Sequence, residues 1–102
     1  MAYGTPILPQ VYTFTVTAGD TFEDTVINFP GIAVFLQLSN EGSDSLDVRL
    51  NSLTTYFTLQ AGHTQVFNYN DCHLTSVAFR NVNISGGGSD VYMEVLAGVV
   101  AS

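Results

Sequence analysis

The sequence predicts an all-β domain: an eight-stranded jelly-roll β-sandwich with an extended N-terminal arm. Three observations lead there. No window sustains the apolar period of a helix, whereas short apolar–polar alternations recur along the whole chain. Clusters of Gly, Pro, Asp, Asn and Ser separate those runs, which is the pattern of a sandwich or barrel. The chain also reads as two copies of one four-strand unit. With 102 residues and a hydrophobic fraction of 46%, it suits a single domain around one core.

The elements follow in order. Residues 1–10, MAYGTPILPQ, form the expected arm, because Pro6 and Pro9 disfavour helix and interrupt strand pairing. The sandwich domain then occupies 11–102. Strands are expected at 11–17, 22–28, 32–40 and 45–51, and again at 55–60, 63–69, 74–82 and 90–97. Ala18-Gly19-Asp20, Pro30-Gly31, Glu41-Gly42-Ser43-Asp44, Ala61-Gly62 and the run 85–89 supply turn chemistry between them. Period-two alternation sorts the side chains into faces. Tyr12, Phe14 and Val16 share the inner face of the first strand. Val34, Leu36 and Leu38 share that of the third, Leu46, Val48 and Leu50 that of the fourth, and Val91, Met93 and Val95 that of the last.

The duplication rests on two alignments. VYTFTVTAGDTF lies over TYFTLQAGHTQVF, placing Phe14 over Phe57, Val16 over Leu59, Gly19 over Gly62 and Thr21 over Thr64. FLQLSNEGSDSLDVRL lies over FRNVNISGGGSDVYMEVL. Two four-strand Greek keys make a jelly roll. Its expected sheets run first–eighth–third–sixth and second–seventh–fourth–fifth. An immunoglobulin-like sandwich, the competing fold, typically carries a Trp beside a cysteine pair. Here Trp is absent and Cys72 is alone.

Charge excludes several partners. Arg49 and Arg80 are the only basic side chains, and nine acids bring the net charge to −7. Phosphate binding needs several cations on one face, so neither nucleic acid nor an anionic membrane is expected. The charged fraction of 11% is low for a soluble domain and suits a surface packed against other protein. The opening residues lack a basic n-region and a long apolar h-region, and no stretch approaches the length of a membrane span. The expectation is synthesis in a cytoplasm, with possible export only as part of a particle.

No catalytic or metal motif emerges. Asn70-Asp71-Cys72-His73, with His63 nearby, is the one polar cluster of note, yet it lacks zinc-ligand spacing. There is no His-x-His of the cupin type and no Gly-x-Ser-x-Gly elbow. The acids Glu23, Asp24, Glu41, Asp44, Asp47, Asp90 and Glu94 fall on loops or outward strand positions. Glu41–Asp44 and Gly86–Asp90 offer loop oxygens, but neither supplies the six to eight that calcium takes. The expectation is a non-enzyme without cofactor or metal.

Association is the better reading. Strands with apolar residues on both faces leave Phe35, Tyr56 and Tyr92 as outward interface candidates, and the arm adds Tyr3, Ile7 and Leu8. Ala33 is assigned to the outward face with Phe35. Residues 55–97, with L-x-A-G-x-T-x-x-F, L-T-S-V-A-F-R-N and a glycine-rich hairpin into V-Y-M-E-V-L, resemble small virion proteins of tailed bacteriophages. That resemblance implies a capsid decoration or cement protein on the capsid exterior, a homotrimer whose partner is the major capsid protein. The alternative is a carbohydrate-binding or host-attachment module, for which Tyr56, Tyr69 and Tyr92 are the candidate aromatics.

Overall fold

The computed structural model describes residues 7–51, 54–68, 73–81 and 90–100. They form seven strands: β1 (Ile7–Val16), β2 (Thr25–Asn40), β3 (Leu46–Leu50), β4 (Phe57–Leu59), β5 (Thr64–Phe67), β6 (Leu74–Arg80) and β7 (Val91–Val100). No helix occurs among the described residues. All pairings are antiparallel, in the order β1-β7-β2-β6-β3-β4, with β5 joined to β2.

β2 organises the fold because it serves two sets of neighbours. Its first part, Thr25–Asn28, pairs with Phe79–Ser76 of β6. Its last part runs beside β7 from Ile32–Val100 to Asn40–Met93, and Leu36–Ser39 also pair with Phe67–Thr64 of β5. Pro30-Gly31, expected as a turn between two strands, lies instead inside this 16-residue strand, where it changes partners. The physical reason is close approach: a Cβ at Gly31 would run into the Val100 carbonyl, so only glycine lets β2 cross the end of β7.

The inner faces carry the expected side chains. Leu36, Leu38, Val48, Phe79 and Met93 are fully buried. Rings bridge strands that do not pair: Phe14 to Phe79 with centroids 5.1 Å apart, Tyr12 to Phe29 at 6.1 Å, and Phe57 to Phe67 at 6.1 Å. The sheet thus folds over at β2 into a sandwich-like arrangement, with β1, β7, β5 and the end of β2 facing β6, β3, β4 and the start of β2.

The structure differs from the sequence expectation at the start of β1 and within β2. β1 begins at Ile7, within the span assigned to the arm, and Pro9 sits in it opposite Gly98. Proline is tolerated there because β1 is at the edge of the pairing order. The register between β2 and β7 shifts between Ala33 and Phe35, leaving Val34 as an extra residue. That bulge carries Ala33, assigned outward, into the core, while Val34 is buried outside the main cluster. The strand ends expected at 69 and 82 lie outside the described residues.

One hydrogen-bonded clasp occurs twice. Gly19, in the left-handed region at φ 91°, donates its N–H to the Asn81 carbonyl at 2.8 Å, and the Asn81 N–H donates to the Asp20 carbonyl at 3.0 Å. Gly62, at φ 75°, donates likewise to the Asn40 carbonyl at 3.0 Å, and the Asn40 N–H to the His63 carbonyl at 3.0 Å. Both asparagines are buried, and each donates from Nδ2 to a strand-end carbonyl: Asn81 to Val16 at 3.0 Å, Asn40 to Leu59 at 3.1 Å.

Candidate interaction surface

Strand register decides which side chains meet outside the core. On the outer side of β1, β7, β2 and β5, Val11 lies opposite Leu96, Leu96 opposite Gln37, and Gln37 opposite Val66. Three apolar side chains therefore stand in one row, with Val11 70%, Val66 39% and Leu96 36% exposed. On one side of the row lies Pro9–Gly98–Phe35, and on the other Thr13–Glu94–Ser39–Thr64. Tyr92, 42% exposed, follows opposite Thr15. Glu94 is the only charged side chain in the Val11 row and the two rows beside it, although the chain carries −7. Glu41, whose N–H donates to the Tyr92 carbonyl at 2.9 Å, brings a second carboxylate to the Tyr92 end. Apolar surface with so little charge is the character of a contact surface.

The opposite layer has a different outer side. Asp47 of β3 pairs with Arg80 of β6, and Arg49 pairs with Ala78, so the two arginines are diagonal neighbours on one face. The turn at 21–24 folds over them. Thr21 donates its N–H to Asp24 Oδ2 at 2.8 Å, which closes that turn and presents Phe22 to the sheet. The Arg49 guanidinium lies 4.6 Å from the Phe22 ring centroid, and Arg80 lies 4.7 Å from the same ring and 4.4 Å from that of Tyr56.

Both cations are engaged in this assembly. Arg80 donates from Nη2 and Nε to Asp47 Oδ2, at 2.7 and 3.1 Å, while Asp47 Oδ1 accepts from Thr58 Oγ1 at 3.0 Å. The hydrogen bond to Asp47 first, then that to Tyr56, raises the Arg80 guanidinium above its ordinary pKa. Arg49 Nη2 is 3.7 Å from the exposed Glu23, and its buried Nε has no hydrogen-bond partner among the described residues. An open hollow of about 170 Å³ adjoins the cluster, lined by Val48, Leu50, Thr55, Tyr56 and Phe57.

The interface residues expected from sequence do not form one patch. Ile7, Leu8, Phe35 and Tyr92 belong to the layer of β1, β7 and β2, whereas Tyr56, 51% exposed, stands on the other layer beside Arg80. Leu8 is 47% exposed and pairs with Val99, and Phe35 is half-buried. Tyr3, Tyr69, Asn70, Asp71 and Cys72 lie outside the described residues. Of that polar cluster, His73 and the nearby His63 are described, and both are exposed. Among the described residues no group of three or more His, Cys, Asp or Glu could hold a metal, and no helix is long and apolar enough to cross a membrane.

Sequence reasoning missed Val11, Val66, Leu96 and Phe22. The first three carry a signal, being apolar at outward strand parity, but only register reveals that they form a row. Phe22 reads as the start of a strand until the turn over β3 and β6 is seen. Comparison with protein-family models gives no match, and comparison with curated proteins gives none either.

Proposed function

We propose that this chain is a non-enzymatic structural protein of a virion, a decoration or cement protein that reinforces a capsid shell through contacts with the major capsid protein. The observation that carries this reading is the Val11–Leu96–Val66 row, an exposed apolar strip whose two neighbouring rows hold one charged side chain, Glu94, among the described residues. Such a surface gains from burial against another protein and offers no group for chemistry. The resemblance of residues 55–97 to small phage virion proteins points the same way.

The architecture is read as a jelly roll. Counting β2 as two strands that meet at Pro30-Gly31 makes eight, and the layers then run first–eighth–third–sixth and second–seventh–fourth–fifth. The paired clasps support an internal duplication: Asn40 answers to Asn81 as Gly62 does to Gly19 and Leu59 to Val16.

The test is co-sedimentation of the purified chain with expanded capsids of the virus that encodes it. Saturable binding that falls at least tenfold in Leu96→Asp, with unchanged circular dichroism, supports the reading. Absence of wild-type binding overturns it. A carbohydrate-binding role is the second reading, favoured by Tyr56 at the rim of the 170 Å³ hollow. A glycan screen in which binding is lost in Tyr56→Ala would establish it instead.

A further inference from the structure

β1 ends the pairing order, so β7 flanks it on one side and no strand flanks it on the other among the described residues. Alternate residues of an edge strand turn their backbone N–H and C=O groups outward, ready to pair with another strand. Proteins usually blunt such edges by keeping them short or charged, or by bulging them. The ends at β4 and β5 follow that rule, with three and four residues. β1 does not. It has ten residues, ILPQVYTFTV, none of them charged, in unbroken register with β7. Pro9 is its one protective residue.

We propose that β1 pairs antiparallel with β1 of a second copy, making a two-fold dimer whose sheet runs through both subunits. The occupant follows from charge and self-complementarity. A chain with net charge −7 opposes close approach of its own copies wherever acids line the seam, and β1 is the long edge without them. An antiparallel seam is the arrangement in which one strand matches itself about a two-fold axis.

Centred on Thr13, that seam sets Tyr12 of one copy opposite Phe14 of the other and Val11 opposite Thr15. Both are favourable cross-strand pairings. Tyr12 and Phe14 are half-buried at the rim of the core, so an added strand covers their remaining exposure. Pro9 then falls opposite Thr17, past the end of β1, where its missing N–H interrupts nothing. The seam uses the backbone edge of β1; of the outward row it touches Val11 and leaves Leu96 and Val66 free, so it does not depend on the capsid reading.

The experiment is light scattering of the purified full chain over a wide concentration range, compared with Thr13→Lys/Thr15→Lys and Leu96→Ser. Both threonines are exposed, and Thr13 lies opposite Glu94, which gives an introduced lysine a carboxylate beside it within its own sheet. The expected masses are twice the 11.0 kDa protomer for wild type and Leu96→Ser, and the single protomer for the double lysine variant. A wild type that is monomeric throughout, or trimeric, overturns the proposal. So does a double variant that stays dimeric. If the double variant does not fold, amide hydrogen exchange of the wild type decides. Protection of alternate amides in residues 10–16 that rises with concentration supports the seam, and protection independent of concentration overturns it.

Discussion

Asn40 and Asn81 occupy equivalent positions: each exchanges backbone hydrogen bonds with a turn containing a left-handed glycine, and each donates its side-chain amide to the carbonyl that ends the preceding strand. Both are buried, so their amides replace water for groups that have no other access to it. Alanine at either position leaves a buried carbonyl unpaired, at about 1–3 kcal/mol for the polar loss plus the void left behind. Asn81→Ala is therefore expected to lose about 2–3 kcal/mol, and Asn40→Ala at least as much, because the Asn40 side chain also donates to the Asp44 carbonyl and accepts from the Gly42 N–H, both at 2.9 Å. Urea denaturation of the two single variants checks both the size and the order.

Gly31 and Gly62 separate two reasons for glycine. At Gly62 a Cβ would meet nothing within 4 Å, so Gly62→Ala suffers only from its positive φ, about 1–2 kcal/mol. At Gly31 the added carbon meets the Val100 backbone, and β2 must move away from β7. Gly31→Ala is expected to cost about 3 kcal/mol, toward the upper end for overpacking. Thermal unfolding of the pair gives the order directly: Gly31→Ala melts well below Gly62→Ala.

Asp47 is buried and satisfies Arg80 and Thr58 together. Asp47→Ala is expected to lose about 2 kcal/mol, less than for a fully buried pair because Arg80 keeps partial access to water. Arg80→Lys loses the forked donor geometry and its fit on two rings, so about 1 kcal/mol is expected. The pH dependence has a definite sign. A guanidinium whose folded pKa is raised contributes stability that is complete below its unfolded pKa and is lost as pH rises through the folded one. That window lies in strong alkali. Melting curves at neutral and mildly alkaline pH are expected to show no loss traceable to Arg80.

Phe22 holds the 21–24 turn against the sheet, and its ring is nearly inaccessible although it lies outside the core cluster. Phe22→Ala removes both the buried area and the surface on which two cations rest, so about 3 kcal/mol is expected. Phe22→Leu keeps most of the area and loses the ring, for about 1 kcal/mol. A double-mutant cycle with Arg80→Ala isolates the contact, and a coupling near zero would remove it from the account.

Alternation along single strands made most of the fold readable in the sequence. Tyr12, Phe14 and Val16 point inward as their spacing requires, and so do Leu46, Val48, Val91 and Met93. Failures occur where position depends on a second strand. Pro30-Gly31 has turn composition, but the approach to Val100 turns it into a bend within β2. Ala33 is inside because of a bulge that alternation alone does not reveal. The surface was less legible for the same reason. Arg49, Arg80 and Phe22 converge through the β3–β6 register and a turn folded over it, and Val11, Leu96 and Val66 align through three pairings. Tyr56 and Tyr92 were singled out together by composition, yet they belong to different layers.

The β1–β7 pairing also has a consequence in time. Its register runs from Ile7–Val100 to Val16–Val91, joining the first and last strands described. On a ribosome β1 emerges before β7 and cannot find it until everything between them has been made. Closing so long a loop is slow, as for other folds rich in non-local strand pairing. For that interval both edges of an uncharged ten-residue strand are open, so nascent chains on neighbouring ribosomes compete with β7 for β1. Refolding yield therefore depends on dilution, and β1 waits unsheltered until the last of its described partners, β7, has been made.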